Sequence, residues 1–150
     1  ADFSDVITQA QTSRFAKYVA DDIDLLTTVM VNTTSREDLL ERLEQVARAA
    51  HGPERAKRRL DRAAIISSSQ FSETGRVQLA ATQQLLTNAM SDLVRELQER
   101  KMIDAAVDPK AFATFVQAYS LGLVLDDVAE TPVDQEAWLA LIGRMLRGLI

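Results

Sequence analysis

The sequence predicts an all-α protein: an antiparallel helical bundle of about six helices, the last two forming a four-helix-bundle dimer interface. Three observations point there. Glycine and proline are scarce, 5 and 3 in 150 residues, and fall where helices should end. Apolar residues recur at three- and four-residue spacing, and no sustained period-two alternation of β-branched residues marks a strand. Residues 111–125 read Ala-Phe-Ala-Thr-Phe-Val-Gln-Ala-Tyr-Ser-Leu-Gly-Leu-Val-Leu without one charge. In a charge-rich chain such a helix calls for cover on nearly every side. It is too short for a bilayer, which takes roughly 20 apolar residues, so no membrane partner is expected.

The first helix starts near Asp2 or Ser4 and runs towards Val31, with Val6, Ile7, Phe15, Tyr18, Val19, Ile23, Leu26 and Met30 at helical spacing. The polar cluster Asn32-Thr33-Thr34-Ser35 ends it. Ser35 with Asp38 resembles a capping box with Asp in place of Glu, opening a helix through Leu39, Leu40, Leu43 and Val46. His51-Gly52-Pro53 closes that helix and starts the next, with Gly as the stop and Pro in the first turn. The third helix reaches about Ser67 and carries Leu60, Ala63, Ala64, Ile65 and Ile66. After the joint at Ser67-Ser68-Ser69 and Phe71-Ser72, a long helix runs from Glu73 to Arg100 with Leu86, Met90, Leu93 and Leu97 on one stripe. Asp108-Pro109 caps and opens the uncharged helix. Thr131-Pro132 or Asp134 opens the last one, which continues to Ile150.

Length fits one domain, residues 1–150, large enough for a sizeable core. A formal charge of −5 argues against the chain itself gripping nucleic acid, where phosphate neutralisation dominates affinity. The absence of cysteine removes disulfides and thiolate chemistry, and with no signal segment it suggests a cytoplasmic protein.

No constellation of catalytic residues emerges, so the chain is not expected to be an enzyme, and neither cofactor nor metal is expected. The single histidine, His51, stands at a helix end where its charge favours the dipole. Di-iron bundles need Glu-x-x-His pairs, which one terminal histidine cannot supply. There is no glycine-rich nucleophile elbow or phosphate loop. Arg55, Lys57, Arg58, Arg59 and Arg62 form a basic run interrupted by Glu54 and Asp61. Such runs are usually salt-bridged faces, and Asp21, Asp22 and Asp24 are its candidate partners. No helix-turn-helix is present: Thr74-Gly75 leads into one unbroken helix.

Two stripes divide the uncharged helix. Ala111, Phe115, Ala118, Gly122 and Leu125 share a face whose small residues permit a close crossing. Phe112, Val116, Tyr119 and Leu123 share a bulkier face. On the last helix Trp138, Ile142, Met145 and Leu149 form a stripe, widened by Leu139, Leu141 and Leu146. Two adjacent helices so broadly apolar have too few partners in one chain, and a second copy would complete a four-helix bundle. The expected dimer interface is Ala111, Phe115, Ala118, Gly122, Leu125, Trp138, Leu141, Ile142, Met145 and Leu149.

From about Arg58 to Ile150, several features recur together. These are the short arginine-bearing helix with Leu60, the polar joint, the long helix ending Leu97-Gln98-Glu99-Arg100-Lys101-Met102-Ile103, Asp108-Pro109 before Phe112 and Gly122, and the acidic spacer before Trp138. In this the chain resembles the regulatory half of TetR-family transcriptional repressors. The resemblance implies homodimerisation through the last two helices and a pocket for a small, mostly apolar effector among the first, third, fourth and fifth helices. Its implied lining is Leu26, Met30, Ile65, Ser68, Leu86, Thr87, Met90, Phe112, Val116 and Tyr119. Residues 1–33 would be the connector to an N-terminal DNA-binding domain outside this chain, with operator DNA bound only through that domain. Ligand binding would shift the connector and so control DNA binding. The alternative is a helical interaction or scaffold domain with a filled core and no small-molecule site.

Overall fold

In the computed structural model, which describes residues 2–150, helices take up most of the chain. They are α1 Phe3–Val31, α2 Arg36–Ala49, α3 Pro53–Ser69, α4 Glu73–Glu99, α5 Pro109–Gly122, the single turn α6 Val124–Asp127 and α7 Gln135–Arg147. No strand occurs among the described residues. Ala1, the first residue of the expected connector, lies outside them.

Local chemistry sets the helix starts. Asp2 and Asp5 form a reciprocal capping box at α1. Ser35, Ser72, Asp108 and Asp134 each accept a hydrogen bond from a first-turn backbone N–H of the helix they precede. The box expected at Ser35 forms by half. Ser35 Oγ takes the Asp38 N–H, but the Asp38 carboxylate accepts from Thr34 N at 2.8 Å. The end of α4 is a Schellman turn on a non-glycine residue: Lys101, at φ 60°, lets Met102 N–H reach Leu97 O at 2.8 Å.

The uncharged segment is not one helix. It breaks at Leu123, which ends α5 and starts α6. Ser120 Oγ donates back to Val116 O and Gly122 lacks a side chain, and both weaken the helix just there.

Neighbouring helices mostly run antiparallel. Ser68 meets Gln11 while Arg58 meets Asp22, so α3 descends α1. Gln83 bonds Gln117, and Gln98 bonds Val107, so α5 descends α4. Glu44 approaches Arg147 and Arg48 pairs with Glu136, so α7 descends α2. The pair α1–α4 runs parallel, with Thr8 beside Gly75 and Arg100 donating to Met30 O, because α2 and α3 intervene.

The core has three parts. Phe15, Val19, Ile65, Leu79, Leu86, Met90 and Ala113 join α1, α3, α4 and α5. Met30, Leu39, Val94, Leu97, Met102, Ile103 and Phe112 form the second part. Ala47, Leu139, Ile142 and Leu146 seat α7 on α2. Each large side chain so buried contributes about 1.5–3 kcal/mol.

Candidate functional site

Five helices surround a partly open cavity of about 680 Å³. Its floor is apolar: Phe15 from α1, with Leu79, Leu86 and Met90 from α4, all buried. Leu25, Leu26, Ile66, Val116 and Leu121 extend it, and Val46 and Ala49 bring in α2. Arg76, Ala80, Thr114 and Ala118 are exposed and form the rim. Thr87 lies in a polar strap across one wall. Gln117 Nε2 donates to Thr87 Oγ1 at 3.2 Å, and Gln83 Nε2 donates to Gln117 Oε1.

The opposite wall is α3, whose Arg55, Arg58, Arg59 and Arg62 all line the cavity. Asp22 on α1 receives Arg58 at 2.8 Å and Arg62 at 2.6 Å, with Arg55 at 3.6 Å. Burial lowers the Arg58 pKa from its usual value, and the Asp22 charge opposes that shift. The side chain stays ionised, as arginine does throughout proteins. Arg59 faces away from this group and forks onto Asp127 of α6. Asp61 anchors the same α1–α3 seam lower down, accepting from Arg14 and from the Tyr18 hydroxyl at 2.7 Å. Of the three expected partners of the basic run, Asp21 and Asp22 pair with it, while Asp24 makes no ion pair among the described residues.

Of the ten expected lining residues, Leu26, Leu86, Thr87, Met90 and Val116 line the cavity. The other five do not. Ile65 is fully enclosed in the first core, and Met30 and Phe112 sit in the second. Ser68 Oγ is occupied by Gln11 Oε1 and Ile65 O, tying α3 to α1. Tyr119 points the other way, its ring 5.9 Å from Phe115 and 6.3 Å from Trp138, and burial raises its phenol pKa. Sequence reasoning missed the arginines and Gln83 and Gln117. A signal existed for the former: positions 55, 58, 62 and 66 recur at three, four and four, placing the clustered arginines in line with Ile66 on one helix face.

The expected dimer residues divide by exposure. On α5, Ala111, Phe115, Ala118 and Gly122 are uncovered, as is Leu125 on α6. A Cβ on Gly122 would meet nothing within 4 Å, so no helix of this chain crosses there. Leu141 and Met145 of α7 are likewise exposed. Trp138, Ile142 and Leu149 are not: they face inward, with Ile142 and Trp138 packed towards α2 and Leu149 against the second core. The close approach is α7 onto α2 at Gly143, where a Cβ would lie 3.0 Å from Glu44 Oε1.

This chain matches no family model, no curated protein and no solved structure. Its cavity and uncovered helix face are thus the observations that bear on function. No helix among the described residues is long and apolar enough to cross a membrane, and no group of three or more acidic or histidine side chains is placed to hold a metal ion. His51 sits at the end of α2 against Trp138, ring to ring at 6.3 Å.

Proposed function

We propose that this chain is the effector-binding and homodimerisation domain of a cytoplasmic transcriptional regulator of the TetR type. DNA binding would then reside in a helix-turn-helix domain preceding α1. The observation that carries the reading is the apolar cavity of about 680 Å³. Small-molecule sites are typically about 300–1,000 Å³, mostly apolar, with a few placed polar groups. A scaffold domain has no use for such a space in its centre.

The placement of α1 supports an allosteric role. This helix of 29 residues gives Phe15, Asp22, Leu25 and Leu26 to the cavity. A ligand that favours one position of α1 shifts the balance between positions by its differential affinity. In a dimer, two such helices would set the spacing of two DNA-binding heads over successive major grooves. The uncovered apolar residues Phe115 of α5 and Leu141 and Met145 of α7 support the dimer, because a second copy could cover them.

Fluorescence titration with Nile red, a neutral apolar dye, tests the cavity. Saturable binding of one dye per chain is expected, and its absence overturns the effector reading in favour of a scaffold. The coding sequence immediately upstream of Ala1 tests the regulator reading. A helix-turn-helix of roughly 45–60 residues is expected there, and an initiator Met directly before Ala1 overturns it.

A further inference from the structure

The charged wall of the cavity holds more positive charge than the protein neutralises. Arg55, Arg58 and Arg62 gather around Asp22. Asp21 adds a second, half-exposed carboxylate 3.9 Å from Arg58, so three guanidiniums face two carboxylates. Hydrogen bonding is equally incomplete. Each guanidinium has five N–H donors. Across the three, among the described residues, only Arg58 Nη2, to Tyr18 O and Asp22 Oδ1, and Arg62 Nη1, to Asp22 Oδ2, donate to protein acceptors. The Nε atoms of Arg58 and Arg62 are buried with no partner.

Aromatic rings hold these cations in place. Arg58 lies over the Tyr18 ring at 4.7 Å and Arg62 over the Phe15 ring at 5.4 Å. Phe15 also belongs to the apolar floor, so the cationic wall and the floor meet at Phe15 and Arg62. Desolvating cations without matching counter-charge costs free energy, which a ligand supplying an anion recovers. Planar guanidinium forks match a carboxylate. A cationic ligand would face three guanidiniums against two carboxylates, and a neutral one would add no counter-charge.

We infer that the cavity binds an amphipathic anion, its apolar body on the floor formed by Phe15, Leu86 and Met90 and its carboxylate at Arg58 and Arg62. The inference rests on the effector-site reading above and names the chemistry of that effector.

Displacement of Nile red from the full chain by dodecanoate, dodecan-1-ol, dodecylamine and dodecyl phosphate tests it. Dodecanoate is expected to bind about tenfold or more tighter than the alcohol and the amine, and at least as tightly as the phosphate. Arg62→Gln should bring acid and alcohol close to parity. Arg95→Gln, an exposed arginine of α4 that does not line the cavity, should leave the ratio unaltered. Equal binding of acid and alcohol, or tighter binding of the amine, overturns the anionic effector while leaving the cavity as an effector site. Preference for the phosphate by about tenfold overturns the carboxylate head. Failure of Nile red itself to bind saturably overturns the effector site and this inference together. The comparison of the four amphiphiles uses the unaltered protein, so it stands even if Arg62→Gln fails to fold.

Discussion

Arg59 grips Asp127 with two parallel hydrogen bonds, Nε to Oδ2 at 2.8 Å and Nη2 to Oδ1 at 2.7 Å. Its third nitrogen donates to Ala50 O, so one buried side chain joins α3 to α6 and to the end of α2. The two partners are unequal. Arg59 is buried, whereas Asp127 retains contact with water. Removing the carboxylate strands a buried cation, which is the costly direction. Asp127→Asn should destabilise the fold by about 2–4 kcal/mol. At about 2–4 °C per kcal/mol for a chain of this size, thermal unfolding would move down by roughly 5–15 °C. Circular dichroism melting checks this, and an unchanged midpoint would show the fork to be energetically idle.

Acid should expose the same pair. The Arg59 hydrogen bonds hold the Asp127 carboxyl below the usual carboxylate range. Asp61 is lowered first by its bond from Arg14 and then by that from Tyr18. Asp38 is lowered by the Thr34 backbone N–H and then by Arg42. For a depressed carboxyl, the stabilisation is fully present above the unfolded-state pKa, about 3.9, and is lost as pH falls through the lower folded-state value. Urea midpoints should therefore hold level from neutrality to about pH 5 and drop below about pH 4. In Asp127→Asn the drop should be shallower. A midpoint equally high at about pH 2 would contradict these assignments.

The caps were readable from the sequence because they are local chemistry. Ser35, Asp108-Pro109, Asp134 and Gly52-Pro53 need only their neighbours to act, and all stand at helix ends. The direction a helix faces is another matter. On α7, the periodicity of Trp138, Ile142 and Met145 marks an apolar side, but α7 is apolar over more than one face. Only the seat on α2 at Gly143 decides that Ile142 turns inward and Leu141 outward. The cavity wall was hidden for a related reason. Arginines at 55, 58 and 62 read as a solvated face until Asp22 is found opposite them. Likewise, nothing in its own sequence neighbourhood tells Ile65, which fills space, from Ile66, which borders it.

Lys101 offers a gain in stability. It adopts φ 60° to close the Schellman turn after α4, a conformation that costs a residue with a Cβ about 1–2 kcal/mol. Its backbone does the work there: its carbonyl accepts from Arg36 Nε at 2.7 Å, while its side chain makes no ion pair among the described residues and the residue is exposed. Glycine removes the steric cost and keeps those backbone bonds, at some expense in unfolded-state entropy. Lys101→Gly should stabilise by about 0.5–1 kcal/mol, raising the urea midpoint with no change in slope. A lowered midpoint would mean the lysine stem contributes packing that outweighs its backbone strain.

The uncovered face of α5 gives the sharpest test of self-association. Phe115 is 40% exposed and lies on the same side as Gly122, where an added Cβ would meet no other element of the described residues within 4 Å. If a second copy packs there, a carboxylate at position 115 would be buried without a partner, and the dimer would lose several kcal/mol. In the monomer the same change removes the ring contact with Tyr119, so folding should lose about 1 kcal/mol while the chain stays folded. The unaltered chain should sediment as a dimer at micromolar concentration, and Phe115→Glu as a monomer with an unchanged circular dichroism spectrum. Leu141→Glu on the exposed side of α7 should act the same way, because the proposed bundle takes both helices from each copy. Ile142→Glu, one residue on, should instead unfold the chain, since that side chain is packed towards α2. An unaltered chain that sediments as a monomer would remove the dimer, whatever the cavity binds.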